Sequence, residues 1–156
     1  MAEIRFYHLT RSRLEDALIR LLRRILDRPD RAVVIAGSME RVEALNAHLW
    51  TFDPASFLPH GSARDGNASE QPVYLTTSLE NPNRAKFLLL CDGAPAPTCD
   101  DLAAQGFDLV CILFNGQDEE ALTAARATWR DYKSAQQQLV YYQQDEDGGW
   151  IEKARQ

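Results

Sequence analysis

The stretch Arg31-Ala32-Val33-Val34-Ile35-Ala36-Gly37, which runs straight into Ser38-Met39-Glu40-Arg41, decides the fold. A continuous apolar run of this length, closed by a glycine, suits a strand buried on both faces. Ser38 is placed to cap a helix through Met39, Val42, Leu45 and Leu49 to Trp50. A buried strand passing directly into a capped helix opens a βαβ unit, and therefore a parallel sheet.

The same grammar extends in both directions. Upstream, Glu3 to Leu9 reads as a strand. From Ser12 to Leu26, residues Leu14, Ala17, Leu18, Leu21, Leu22 and Ile25 recur at spacings of three and four, one face of an amphipathic helix. Ser12 and Glu15 predict a capping box at its start, and Pro29 lies beyond its end. Downstream, Pro72–Thr76 and Lys86–Cys91 are short strand candidates, and Phe107–Phe114 (FDLVCILF) is the strongest central strand. Asn115-Gly116 turns the chain into a long helix from Asp118 to about Gln136, whose acidic first turn suits the helix dipole. Leu139–Gln144 reads as a last strand. Gly61–Glu70 is polar and glycine-containing and reads as a mobile loop, and 145–156 reads as a tail around Gly148-Gly149-Trp150. The expectation is one domain over residues 1–156. It is an α/β fold: an open, mostly parallel sheet with helices on both faces, Rossmann-like but without a nucleotide site.

Composition limits the partners. The chain has 156 residues, 45% of them hydrophobic, and its 17 Lys+Arg against 23 Asp+Glu give a net charge of −6. No apolar run reaches the roughly 18 residues that a membrane span needs, and Met1–Thr10 does not read as a signal peptide. An acidic chain is a poor nonspecific coat for nucleic acid, so direct contact with it is expected to be weak or absent. Three sparse cysteines, Cys91, Cys99 and Cys111, fit a reducing cytoplasm and not a disulfide framework.

An α/β sheet invites a nucleotide, but the turn after the first buried strand, Gly37-Ser38-Met39-Glu40, holds one glycine where a dinucleotide fingerprint needs three. No G-x-x-x-x-G-K-[ST] occurs. Cys91 and Cys99 lack the paired short spacing of zinc ligands, and Cys91 and Cys111 sit in apolar strands as small hydrophobes. His8, His48 and His60 are scattered, no serine lies in a G-x-S-x-G elbow, and His60 reads as a loop-anchoring hydrogen bonder. No catalytic residue, metal or cofactor is expected.

One helix face carries more information. Arg126, Trp129, Arg130 and Lys133 fall at i, i+3, i+4 and i+7, while Ala121, Ala125, Thr128, Tyr132 and Ala135 form a smaller-residue face suited to a sheet. The cationic face is either solvated or a binding surface. The same two readings apply to Arg11, Arg13, Arg20, Arg23, Arg24, Arg28 and Arg31 around the first helix. Trp50 and Phe57 flank a proline-containing corner.

Taken in order, these stretches resemble a known family, the chi subunit of bacterial DNA polymerase III holoenzyme. The resemblance is carried by Phe6-Tyr7-His8-Leu9, by the run from Leu49 to Gly61 (LWTFDPASFLPHG), by Phe114-Asn115-Gly116-Gln117-Asp118-Glu119, by Ala125-Arg126-Ala127-Thr128-Trp129-Arg130, and by Tyr141-Tyr142-Gln143-Gln144 with Gly148-Gly149-Trp150. It implies a non-catalytic adaptor. Such a protein links the clamp loader, through the psi subunit, to the acidic C-terminal tail of single-stranded DNA-binding protein (SSB), which closes with an apolar dipeptide and a free carboxylate. It further implies a tail-binding set of Trp50, Phe57, Arg126, Trp129 and Arg130. In that set Arg126 clamps the carboxylate, Trp129 walls a slot with Trp50 and Phe57, and Arg130 meets the acidic residues. Three positions depart from the family pattern: Asn115 stands where some members are apolar, Leu122 where some carry Lys, and Gln136 where Gly is common. The alternative to this adaptor is a small nucleotide-binding or direct single-strand DNA-binding α/β domain.

Overall fold

The computed structural model describes residues 2–51 and 59–156. Its elements are β1 (Glu3–Leu9), α1 (Leu14–Asp27), β2 (Ala32–Ile35), α2 (Met39–Thr51), β3 (Gly61–Ser62), β4 (Val73–Thr76), β5 (Phe87–Leu90), α3 (Cys99–Gln105), β6 (Leu109–Asn115), α4 (Glu119–Ser134), β7 (Gln138–Gln144) and β8 (Trp150–Arg155). The described strands form one eight-stranded open sheet in the order β3-β4-β2-β5-β6-β1-β7-β8. Every pairing is parallel except β7–β8.

All four residues of β2 are buried, as the RAVVIAG run predicts. The strand pleat sends alternate side chains to opposite faces. Ala32 and Val34 join one core with Leu18, Leu22 and Ile25 of α1 and Val42, Leu45 and Leu49 of α2. Val33 and Ile35 join a second core with Leu102 of α3 and Ala125 and Tyr132 of α4. Helices therefore cover both faces. Within α4 the buried residues are Ala125 and Tyr132, both from the small-residue face, whereas Ala135 is exposed.

Side-chain caps fix three of the helix starts. Ser38 Oγ accepts from the Arg41 N–H at 3.2 Å, Thr98 Oγ1 from Asp101 at 3.1 Å, and Asp118 Oδ1 from Glu120 at 3.0 Å. The capping box expected at α1 does not form. Arg13 is the N-cap and makes no side-chain cap bond. Glu15 turns instead to Arg41 at 2.7 Å. The N–H groups ahead of α1 are taken by Gln144, at the end of β7. Its Oε1 accepts from Thr10, Arg11 and Ser12 at 3.2, 2.9 and 2.9 Å, and its Nε2 donates to Ser12 Oγ at 2.8 Å and to the Gly148 carbonyl at 3.2 Å. Gln144 is 3% exposed. A long-range amide replaces the local cap.

Two segments carry more regular structure than the sequence reading gives them. The segment read as a loop over 61–70 holds β3 and two single 3₁₀ turns, Ala63–Asp65 and Ala68–Glu70. The Ser62 N–H donates to Asp65 Oδ2 at 2.8 Å, which closes the first turn locally. The tail after Gln144 is also not irregular. Asp145–Gly149 turns the chain, with the Asp145 N–H bonded to the Gly149 carbonyl at 2.8 Å, and β8 returns antiparallel along β7. At the end of α4, Gln136 takes φ +58°, and the Gln137 N–H bonds to the Tyr132 carbonyl at 3.1 Å. That is a left-handed helix stop of the kind glycine serves best, so the turn keeps its glycine geometry with glutamine in place.

Two variants test this description by chemical denaturation. Gln144→Leu orphans three backbone donors and is expected to lose about 2–4 kcal/mol. Gln144→Glu keeps the acceptor oxygens and should lose less. Gln136→Gly should gain roughly 0.5–1 kcal/mol by relieving the left-handed backbone; a loss would contradict the assigned helix stop.

Candidate functional site

Sheets of this topology usually bind ligands in the crevice beyond the carboxyl ends of their strands. Here that crevice, about 680 Å³, has an apolar interior that includes Leu90, Ile112 and Phe114. Its rim carries Asp92, Asp118 and Glu120. Arg41, the cation beside them, is held by Glu15 at 2.7 Å and Asp92 at 2.9 Å. The loop at Asp92 also presses on the α2 N-terminus: a Cβ added to Gly37 would lie 2.3 Å from the Asp92 carbonyl oxygen. The Asp92 carbonyl and the Arg41–Asp92 ion pair therefore crowd the turn into α2. Cys91 lines this crevice and Cys111 lies in the core, both as buried free thiols; burial pushes Cys91 well up and Cys111 to about 12. Among the described residues no cluster of three His, Cys, Asp or Glu side chains could hold a metal ion. No described helix is long and apolar enough to cross a membrane.

A different cavity gathers the cationic face of α4. It measures about 480 Å³ and is lined by His8 of β1, Arg126, Trp129 and Arg130 of α4, Tyr141 and Gln143 of β7, and Ala154 of β8. Parallel pairing builds it. Phe6 lies opposite Tyr141, and His8 lies opposite both Phe114 and Gln143, so β1 delivers its even-numbered side chains beneath α4. Trp129 sits edge-on to Phe6 at 5.4 Å and to Tyr141 at 5.8 Å, which makes it part of the core as well as of the cavity wall. Arg126 and Arg130 are exposed, and among the described residues neither pairs with a carboxylate.

The floor is polar and specific. His8 Nδ1 and the Tyr141 hydroxyl are 2.9 Å apart. Burial first, and the Arg126 charge second, hold the His8 imidazole below its ordinary range. Burial raises the Tyr141 phenol, with Arg126 opposing. Two guanidiniums without carboxylate partners over an aromatic floor offer an anion both charge-assisted hydrogen bonds and an apolar contact.

The expected set is brought together in part. Arg126, Trp129 and Arg130 converge. Trp50 does not join them: α2 packs on the opposite face of the sheet, where Trp50 is 48% exposed with its ring 4.2 Å from that of His60. Phe57 lies outside the described residues. His60 Nε2 pairs with the Asn46 carbonyl at 3.1 Å, the anchoring bond expected of it. The arginines of α1, Arg20, Arg23 and Arg24, are exposed on the side away from its buried stripe. Sequence reasoning missed His8, Tyr141, Gln143 and Ala154. The first three lie in stretches that carry the family resemblance, but spacing along one strand cannot reveal a neighbour on another.

Fold and cavity together describe an α/β protein with a cationic cavity lined by aromatic side chains beneath α4. The chain belongs to the DNA polymerase III chi subunit family: the model of the family described as "DNA polymerase III chi subunit, HolC" matches residues 1–140. A probable DNA polymerase III subunit chi from Rickettsia prowazekii (strain Madrid E) is 32% identical over 90 residues, 58% of this chain and 54% of that protein, so the match spans about half the relative's length. The family is an accessory, non-catalytic subunit of the replicative polymerase.

Two measurements test the site geometry. Trp129→Ala should cost roughly 2–4 kcal/mol of stability, because the indole packs on Phe6 and Tyr141. A folded-state imidazole held below its unfolded value stabilises the protein above that value, about 6.5, and the contribution is lost as pH falls through the folded value. The wild type should therefore lose more stability between pH 7.5 and 5 than His8→Gln does in thermal melts. Parallel curves would mean His8 is not held neutral.

Proposed function

We propose that this chain acts, as a single α/β domain in the cytoplasm, as an adaptor between the clamp loader, through a psi subunit, and the acidic C-terminal tail of SSB. The observation that carries this reading is the cavity at α4, where Arg126 and Arg130, with no described carboxylate partner, flank Trp129 above an aromatic floor. A peptide ending in an aromatic residue needs an apolar slot for the ring and a guanidinium for the terminal carboxylate. Arg126 is the carboxylate clamp. Trp129 is the wall of the slot, with Tyr141 in the place first given to Trp50. Arg130, one turn on at the rim, attracts the acidic residues upstream. Membership of the chi family supports the assignment.

The test is a thermodynamic cycle read by fluorescence anisotropy. The peptide is a labelled acidic one ending in Phe, as free acid and as C-terminal amide. Removing a charge-assisted donor costs about 1.5–3 kcal/mol, or roughly 10- to 150-fold in affinity. Arg126→Ala should therefore weaken the free acid by that factor. Amidation should mimic Arg126→Ala and add little to it, since both remove one interaction. Arg130→Ala should cost less, and raised salt should narrow its deficit first. Full additivity of amidation and Arg126→Ala would place the carboxylate elsewhere.

A further inference from the structure

The floor of the cavity holds a polar pair that the arginine clamp leaves unused. Tyr141 lines the cavity beside Arg126, and its hydroxyl is 2.9 Å from His8 Nδ1. The His8 ring is fixed from below by Gly116, where an added Cβ would lie 1.9 Å from Nε2 and 2.0 Å from Cδ2. Gly116 is itself pinned, its N–H donating to the Leu9 carbonyl at 2.8 Å. Only a residue without a side chain lets the imidazole lie here, packed against Phe114 with centroids 5.1 Å apart. A neutral imidazole carries its proton on one nitrogen or the other. With the proton on Nε2, Nδ1 accepts from the tyrosine, whose O–H then points away from any ligand. With the proton on Nδ1, the imidazole donates to the phenol oxygen, and the phenol O–H is left to donate elsewhere.

We propose that Tyr141 is a second donor to the carboxylate that Arg126 clamps, aimed by His8 Nδ1–H, and that Gly116 is the positioning residue that seats His8. This rests on the reading of the cavity as a carboxylate site. Binding of the anion selects the Nδ1–H tautomer, so Tyr141 O–H and the Arg126 guanidinium reach the carboxylate together. A neutral donor beside a charged one adds direction, which selects a terminal carboxylate over side-chain acids that could approach Arg126 from other angles.

The experiment uses the full chain and the same free-acid and amidated acidic peptides ending in Phe. Tyr141→Phe removes one oxygen and keeps the aromatic floor. It should weaken the free acid about tenfold or more and leave the amide within about twofold. His8→Leu removes the aiming donor and should reproduce the loss for the free acid, with Tyr141→Phe adding little on top. Gly116→Ala, which pushes the ring off its seat, should do the same where it folds; His8→Leu tests the point where it does not. Equal loss for both peptides would assign Tyr141 to packing alone and overturn the proposal, as would no loss for either. Arg126→Ala, measured in parallel, separates the two readings. If it weakens the free acid while Tyr141→Phe does not, the carboxylate site stands and the second donor falls. If it leaves the free acid unaffected, the site reading itself falls.

Discussion

The first strand of the chain lies between two strands made near its other end, and nearly everything else follows from that placement. β1 pairs with β6 on one side and β7 on the other, both in parallel. Flanked on both edges and covered on both faces, it contributes Ile4 and Phe6 to one core and Tyr7 and Leu9 to the other. Parallel strands cannot be joined by a tight hairpin. The helices between them are thus crossover connections. α4, the crossover from β6 to β7, has to pass over β1, which sets Arg126, Trp129 and Arg130 above His8.

The same arrangement explains why the end of β7 governs the start of α1. The carboxyl ends of β1 and β7 lie side by side, so the chain leaving β1 meets Gln144. The buried amide satisfies three N–H groups of that exit with one oxygen. A buried polar group that is fully partnered orders its surroundings, and one that is not is costly. Gln144 is partnered on both its oxygen and its nitrogen, and its nitrogen also reaches Gly148 in the turn toward β8. One side chain ties a helix start, a strand end and a hairpin.

How much of this was legible follows from the range of each interaction. β2 can be read because burial on both faces leaves an unbroken apolar run, and α4 because its acidic first turn and its two faces at helical spacing are local signals. The capping box at Ser12 has the right letters and fails because Gln144, remote in sequence, takes the Ser12 N–H and the Ser12 hydroxyl, while Glu15 pairs with Arg41. β8 was hidden because an edge strand facing solvent on one side carries Glu152, Lys153 and Arg155 and lacks an apolar run. Half of the cavity could be read from one helix face. The other half, His8 and Tyr141, meets it through strand register, which depends on pairing and not on spacing. The family resemblance groups Trp50 with Arg126, whereas α2 and α4 pack on opposite faces of the sheet.

The three tryptophans give the protein a built-in optical map. Trp50 is half in solvent on one face of the sheet, Trp150 packs edge-on to Tyr7 at 5.0 Å, and Trp129 is wedged between Phe6 and Tyr141 beside the α4 cavity. Trp50 is exposed whereas Trp129 and Trp150 are both partly buried, so access to a soluble quencher separates the first from the other two. A quencher reaches Trp50 first. The light that survives comes from Trp150 and Trp129, and of those two only Trp129 lines that cavity. The intrinsic fluorescence left under quenching is therefore a label-free reporter of what enters the space beside α4.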